Sequence, residues 1–219
     1  MSDHPHSEAN GSGSQPISAA QVLEVLRRGS FDEELALLHW SSNYTFLVNI
    51  HLDDIALAAI YKPRRGERPL WDFPKGTLYQ RELAAYLTSE ALVWELVPPT
   101  LNREGPRGIG SLQFYVDHDP ERHYFTLDDT FTPQLLRLSL FDVVINNADR
   151  KGGHCLIDAA GHLWGIDHGI TFNVEPKLRT VIWDFAGQAV PGPLLEDLER
   201  LLASLSVSAN DYRRQLDAL

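Results

Sequence analysis

Residues 146–172 read NNADRKGGHCLIDAAGHLWGIDHGITF. A polar loop, 146–154, leads into two short apolar runs, 155–157 and 163–166, separated by turn residues at 158–161. Runs of that length bounded by turn signals predict a β-hairpin. A hairpin returns to the end at which it began. Asp149 and His154, before the first strand, therefore emerge beside Asp167 and His168, after the second. Two carboxylates and two imidazoles on converging loops are what a metal or acid–base site is built from. The same residues also have an ordinary reading, because Asp at turns and His at strand ends supply local hydrogen bonds.

Working outward, Thr132-Pro133 predicts an N-cap followed by proline at the first helical position. The strongly apolar helix it opens runs to about residue 145. Downstream, Pro191-Gly192-Pro193 precedes an amphipathic helix over about 194–205, and a short helix is expected near 209–218. Upstream, Ser18 and Gln21 fit a capping box, Val22, Leu23 and Leu26 share a face, and Gly29 ends that helix. Runs at 35–40, 44–52 and 55–61, divided by Ser41-Ser42-Asn43 and Asp53-Asp54, predict a three-stranded antiparallel meander. A loop rich in Pro, Gly and charge (62–77) leads to a helix over 78–94, ended by Pro98-Pro99, and 112–116 reads as a short strand. Trp71-Asp72-Phe73 recurs as Trp183-Asp184-Phe185, which predicts an aromatic anchor in each half rather than a repeat.

Composition excludes several classes. Hydrophobic residues make up 43% and charged residues 22%, so a core is expected without staples. Cys155 is the only cysteine, which rules out a disulfide framework and any multi-cysteine zinc site. The formal charge of −11 leaves no basic footprint for nucleic acid and argues against stable membrane association. The longest basic cluster is Lys62, Arg64, Arg65 and Arg68. No apolar run approaches a membrane span and no apolar leader stands at the start, so a reducing, cytoplasmic setting is expected. Residues 1–16 lack hydrophobic period and are expected to be disordered. Gly105–Gly110 has P-loop-like glycine spacing, but Ser111 stands where the lysine would be.

The order and spacing of the 146–172 stretch resemble the catalytic core of the phosphatidylinositol 3-/4-kinase-like superfamily. In that family an Asp-Arg pair is followed, five residues after the Asp, by a metal-binding Asn, then by a hairpin and an Asp-Phe-Gly motif. Here Asp149-Arg150 fill the first positions, His154 stands in place of Asn, and Asp167-His168-Gly169 close the pattern with His in place of Phe. The resemblance implies an α+β, two-lobed protein-kinase-like fold. Its N-lobe (17–118) would be an antiparallel sheet plus a helix, and its C-lobe (119–219) mostly helical with a catalytic β-hairpin.

The same resemblance implies ATP with Mg or Mn as cofactors, Lys62 pairing with the phosphates, and Glu82 or alternatively Glu90 pairing with Lys62. Ser41, Ser42 and Asn43 would form the phosphate loop, and Phe114, Tyr115 and Val116 the adenine-contacting segment. Asp167 and His154 would hold metal, Asp149 would orient the acceptor hydroxyl, and Arg150 would stabilise charge or lock the loop. The acceptor would be a hydroxyl on a protein or small molecule. Two other readings stay open: a nucleotide-binding scaffold without activity, motivated by His154 and His168, and a metal hydrolase built on the Asp/His cluster.

Overall fold

The computed structural model describes residues 17–33, 35–38, 43–207 and 210–219. The 1–16 segment, and Ser41 and Ser42 of the expected phosphate loop, lie outside the described residues. Helix α1 (Ala19–Arg28) is opened by a reciprocal cap, with Gln21 N donating to Ser18 Oγ and Ser18 N to Gln21 Oε1. It buries Val22, Val25 and Leu26 against an antiparallel sheet. That sheet contains β1 (Ser30–Phe31), β2 (Ala36–Leu37), β3 (Phe46–Leu52), β4 (Ile55–Pro63), β5 (Thr100–Gly105) and β6 (Gly108–Phe114), in spatial order β1-β3-β4-β6-β5 with β2 also on β3.

The expected strand over 35–40 is therefore two residues long where described, and β1 joins it along β3. The expected 112–116 strand starts earlier and stops at Phe114. It pairs with β5, which sequence reasoning missed. β5 is an edge strand whose outer half carries Asn102, Arg103 and Glu104, so it lacks the apolar alternation that marks a strand. The glycine-rich stretch between the two is the hairpin turn, with Gly108 at φ 95°.

β4 alternates cleanly. Leu57, Ala59, Tyr61 and Pro63 are buried on the α1 side, which leaves Ala58, Ile60 and Lys62 on the opposite face. Helix α2 (Leu78–Leu92) packs on that sheet at β5 and β6 and also on two C-terminal helices, α4 (Gly192–Leu205) and α5 (Asp211–Asp217). It is thus buried on more than one side, including Glu82, Thr88 and Ser89. Its Ala85, Tyr86 and Leu92 belong to the C-lobe core, along with Leu138, Phe141 and Ile145 of helix α3 (Thr132–Val144) and its C-cap. Each large side chain buried here contributes about 1.5–3 kcal/mol. The hairpin expected over 155–166 is β7 (Cys155–Ile157) and β8 (Leu163–Gly165). Of the two repeated tripeptides, the phenylalanines Phe73 and Phe185 pack inward, whereas Trp71 and Trp183 are exposed. The architecture is a two-lobed α+β fold. Among the described residues, no helix is long and apolar enough to cross a membrane.

Gly110 sits opposite Pro63, and a Cβ there would fall 2.4 Å from the Lys62 carbonyl oxygen. That oxygen, and Pro63 Cα at 2.7 Å, are backbone and cannot swing aside. Gly110→Ala should destabilise the protein by about 1–3 kcal/mol, seen as a lower urea midpoint with unchanged slope. An unchanged midpoint would mean that β4 and β6 separate freely here.

Candidate active site

Lys62 is the only charged residue on the cleft-facing side of β4. Its ammonium lies 2.5 Å from Glu82 Oε1 and 2.8 Å from Asp167 Oδ1. One cation thus joins the N-lobe sheet, helix α2 and the loop after β8. Glu90, the alternative partner, is exposed near the end of α2. The second oxygen of Glu82 accepts from His168 N at 2.9 Å, so α2 also grips the backbone of the Asp167-His168-Gly169 motif. Burial alone would lower the Lys62 ammonium, but Asp167 and Glu82 more than offset it and hold it above the ordinary lysine value. Lys62 in turn holds the Asp167 carboxyl far below the usual carboxylate range, against the effect of burial. Asp167 has φ 62°, an uncommon backbone state for a residue with a side chain.

Arg150 is wholly buried. Its guanidinium meets Asp142 through Nη2 at 2.8 Å and Nε at 3.1 Å, and donates to the carbonyls of His154 and Ile166 and to His168 Nε2 at 2.7 Å. Every face of the group is thus occupied within the fold. These contacts tie together the loop before β7, the residue after β8 and helix α3, which is the loop-locking arrangement among the two roles the sequence left open for Arg150. Asp142 also accepts from Asn147 Nδ2 at 2.8 Å and from Thr180 Oγ1 at 3.3 Å. Sequence reasoning missed both Asp142 and Asn147. The available signal was a carboxylate inside the apolar run LSLFDVVI, where only a paired charge is stable.

Asp149 follows Asn147, whose Oδ1 accepts Asp149 N at 3.0 Å. Its carboxylate meets Lys151 at 2.8 Å and lines the same cavity as Lys62, Glu82, Asp167 and Asn43. Asn43 Oδ1 accepts from Arg68 N at 2.8 Å. Phe114 ends β6, and Tyr115 N donates to Ala58 O, so Tyr115 and Val116 continue along β4 at the far end from Lys62. The structure thus brings Lys62, Glu82, Asp149, His154 and Asp167 to one cleft, with Asn43 at one rim and 114–116 at the other end of the sheet. That side of the cleft is also tied across the lobes. Asn173 Nδ2 donates to Asp72 O, Lys177 pairs with Asp72 at 3.1 Å and lies over Trp71, and Arg81 donates to the carbonyls of Thr171 and Phe172.

The sequence matches the profile of the Phosphatidylinositol 3- and 4-kinase family over residues 77–212. The chain belongs to that family. It is also similar to "Protein Rv2133c" of Mycobacterium tuberculosis, with 39% identity over 84% of this chain and 85% of that protein. The family profile covers helix α2, the 146–172 stretch and α4, while Lys62 precedes it. The placement of Lys62 beside Glu82 and Asp167 therefore rests on the geometry above.

Members of this kinase family work with a nucleotide and a divalent ion, and the donor set here can be tested against that need. Among the described residues no group of three or more His, Cys, Asp or Glu converges as a metal site. A nucleotide-bound Mg²⁺ needs only one or two protein ligands, since phosphate oxygens and water fill the rest. Asp167 Oδ2 and His154 Nε2 lie 3.3 Å apart, two donors facing one point. Burial holds the His154 imidazole below its ordinary pKa, partly offset by Asp167, which keeps its lone pair free near neutral pH. The pair fits a divalent ion, with a nitrogen donor that suits Mn²⁺ better than Mg²⁺. His154→Asn should shift nucleotide binding from Mn²⁺ toward Mg²⁺ in a thermal-shift titration; identical preference in both proteins would remove His154 from the ligand set.

His168 is fully buried against the Phe141 ring. Because Arg150 can only donate, His168 Nε2 must accept, which requires a neutral ring. Burial, then the charges of Arg150 and Lys62, hold its pKa well below the ordinary value. The unfolded chain takes up this proton below about pH 6.5, and the folded state does not. The contribution is thus complete above about pH 6.5 and is lost as pH falls, by at most about 1.4 kcal/mol per unit. His154 acts in the same direction and is present in either protein. His168→Phe should therefore lose stability less steeply than the wild type in urea titrations between about pH 7 and about pH 5. Parallel curves would show that His168 protonates as readily folded as unfolded.

Proposed function

We propose that this chain is an ATP-dependent phosphotransferase that acts on a hydroxyl of a protein or small molecule. The observation that carries the reading is the bridge from Lys62 to Glu82 and Asp167 across both lobes. Phosphoryl transfer asks little covalent chemistry of a protein and depends on positioning and charge neutralisation. Lys62 would exchange Asp167 for nucleotide phosphates while Glu82 keeps it in place. Asp167, freed from Lys62, and His154 would hold the divalent ion, which supplies positive charge at the phosphates when bound. Asp149, at the cleft and paired with the exposed Lys151, would orient the acceptor hydroxyl and take its proton. Arg150 would act only through the loop it locks. The adenine would lie along Ala58 and Ile60 toward Tyr115 and Val116, and the phosphates toward Asn43 and the residues just before it.

Charge and composition support a cytoplasmic protein that binds neither nucleic acid nor, stably, a membrane. A formal charge of −11 opposes approach to an anionic lipid surface, where attraction runs at about 1 kcal/mol per basic residue. Protein or small-molecule acceptors are favoured over membrane phosphoinositides for that reason. One observation favours a second reading, a nucleotide-binding scaffold: Asp167 is already neutralised by Lys62, and its remaining neighbour is an imidazole rather than an amide.

The two readings separate by mutation. Asp167→Asn should abolish metal-dependent nucleotide binding, followed by thermal shift with ATP and Mg²⁺ or Mn²⁺. Asp149→Asn should retain that binding and lower transfer of labelled γ-phosphate by about 10²–10⁴-fold. Wild-type transfer by both variants would exclude the catalytic reading, and nucleotide binding without transfer by the wild type to proteins or small molecules would favour the scaffold.

A further inference from the structure

A second cavity, about 500 Å³ in volume, adjoins the cleft where the 64–77 loop folds back toward the β5–β6 turn. Its size falls in the range of small-molecule sites. Arg64, Arg65, Arg68 and Lys75 line it, over apolar walls that include Phe73 and Leu78. None of these four cations has an ion-pair partner among the described residues. Four unpaired cations around one concavity are out of keeping with a chain of formal charge −11. A concave wall of one sign focuses the field and concentrates anions.

Gly76 leaves room for Arg64 over bare backbone, and Gly108 lies beside Arg65 at ordinary contact distance. A Cβ on Gly76 would lie 2.5 Å from Arg64 Nε, and one on Gly108 would lie 3.8 Å from Arg65 Cδ. Two carboxylates share the wall, Glu67 and Glu104. Glu67 is engaged elsewhere, because its Oε1 accepts Tyr79 N at 2.9 Å and caps the start of α2. Two cations remain in excess. Three guanidinium forks suit a tetrahedral, multiply charged oxyanion better than a single carboxylate. The concave, partly apolar form suits a small molecule; a duplex or a membrane surface is met by an open basic stripe.

We propose that this cavity binds a phosphate-bearing small molecule, and that it does so together with a nucleotide in the neighbouring cleft. Glu67 and Leu78 line both cavities, so the two ligands would sit on either side of one wall, at the Lys62 end of β4. The site stands on its own cations and does not require the chain to transfer phosphate.

The test is calorimetric titration of pyrophosphate into the full chain, alone and saturated with a non-hydrolysable ATP analogue and Mg²⁺. Saturable binding is expected in both states, weakened about tenfold or more by Arg65→Glu with Arg68→Glu. Arg65→Gln with Arg68→Gln should lose less, and thermal melts establish that both double variants fold. Pyrophosphate binding that the analogue abolishes, or that charge reversal leaves intact, overturns the proposal. Preference for heparin or for phosphatidylserine vesicles over pyrophosphate overturns it in favour of a macromolecular surface. If the analogue fails to bind while pyrophosphate still depends on Arg65 and Arg68, the nucleotide reading fails and the anion site stands.

Discussion

The buried pair of Asp142 and Arg150 is the constraint on which the cleft depends. Neither charge reaches solvent, and the desolvation of two such groups costs several kcal/mol each. The cost is offset because nearly every donor and acceptor around them is satisfied: Asp142 by Arg150, Asn147 and Thr180, and Arg150 by Asp142, two carbonyls and His168. Those partners come from helix α3, the loop before β7, the residue after β8 and the segment that follows. Removing either charge would strand the other, at a cost of about 3–5 kcal/mol. The pair adds little net stability. It makes the positions of Asp149 and Asp167 mutually dependent.

A second dependence runs between the lobes through α2. The helix is packed on the N-lobe sheet and also contributes to the C-lobe core. Glu82 therefore sits at the seam, with one oxygen on Lys62 and the other on His168 N. His154 and His168 stand where the resemblance read from the sequence implies Asn and Phe. The first keeps a donor beside Asp167. The second turns a packing position into a polar one, accepting from Arg150 where a phenylalanine ring would only fill space.

The cleft residues were legible because their chemistry depends on local spacing. Asp149, His154 and Asp167 flank a hairpin, and a hairpin's geometry follows from its turn. Lys62 and Glu82 were legible only through the family resemblance, since nothing local distinguishes a lysine late in a strand from a solvated one. β5 escaped because an edge strand need not alternate, and β1 because two residues carry no period. The role of Arg150 could not be read without Asp142, eight positions earlier on a helix, because burial of a charge is a tertiary fact. Helix α2 read as a helix of the sheet. Its second packing surface involves α4 and α5, more than a hundred residues away, and no window of sequence contains that contact.

The cross-lobe ties at Asp72, Trp71 and Arg81 have a mechanical consequence. The chain connecting the lobes leaves the sheet beyond Phe114, and these ties fasten the opposite end, near Lys62. A jaw pinned at both ends cannot swing open about one hinge. Its softest motion is a small sliding of one lobe past the other, with the ties acting as pivots. Ligand exchange would then proceed through the open flank between the two pins, and its rate would follow the breaking of a few half-buried contacts around Asn173 and Lys177 rather than a rotation of the whole N-lobe.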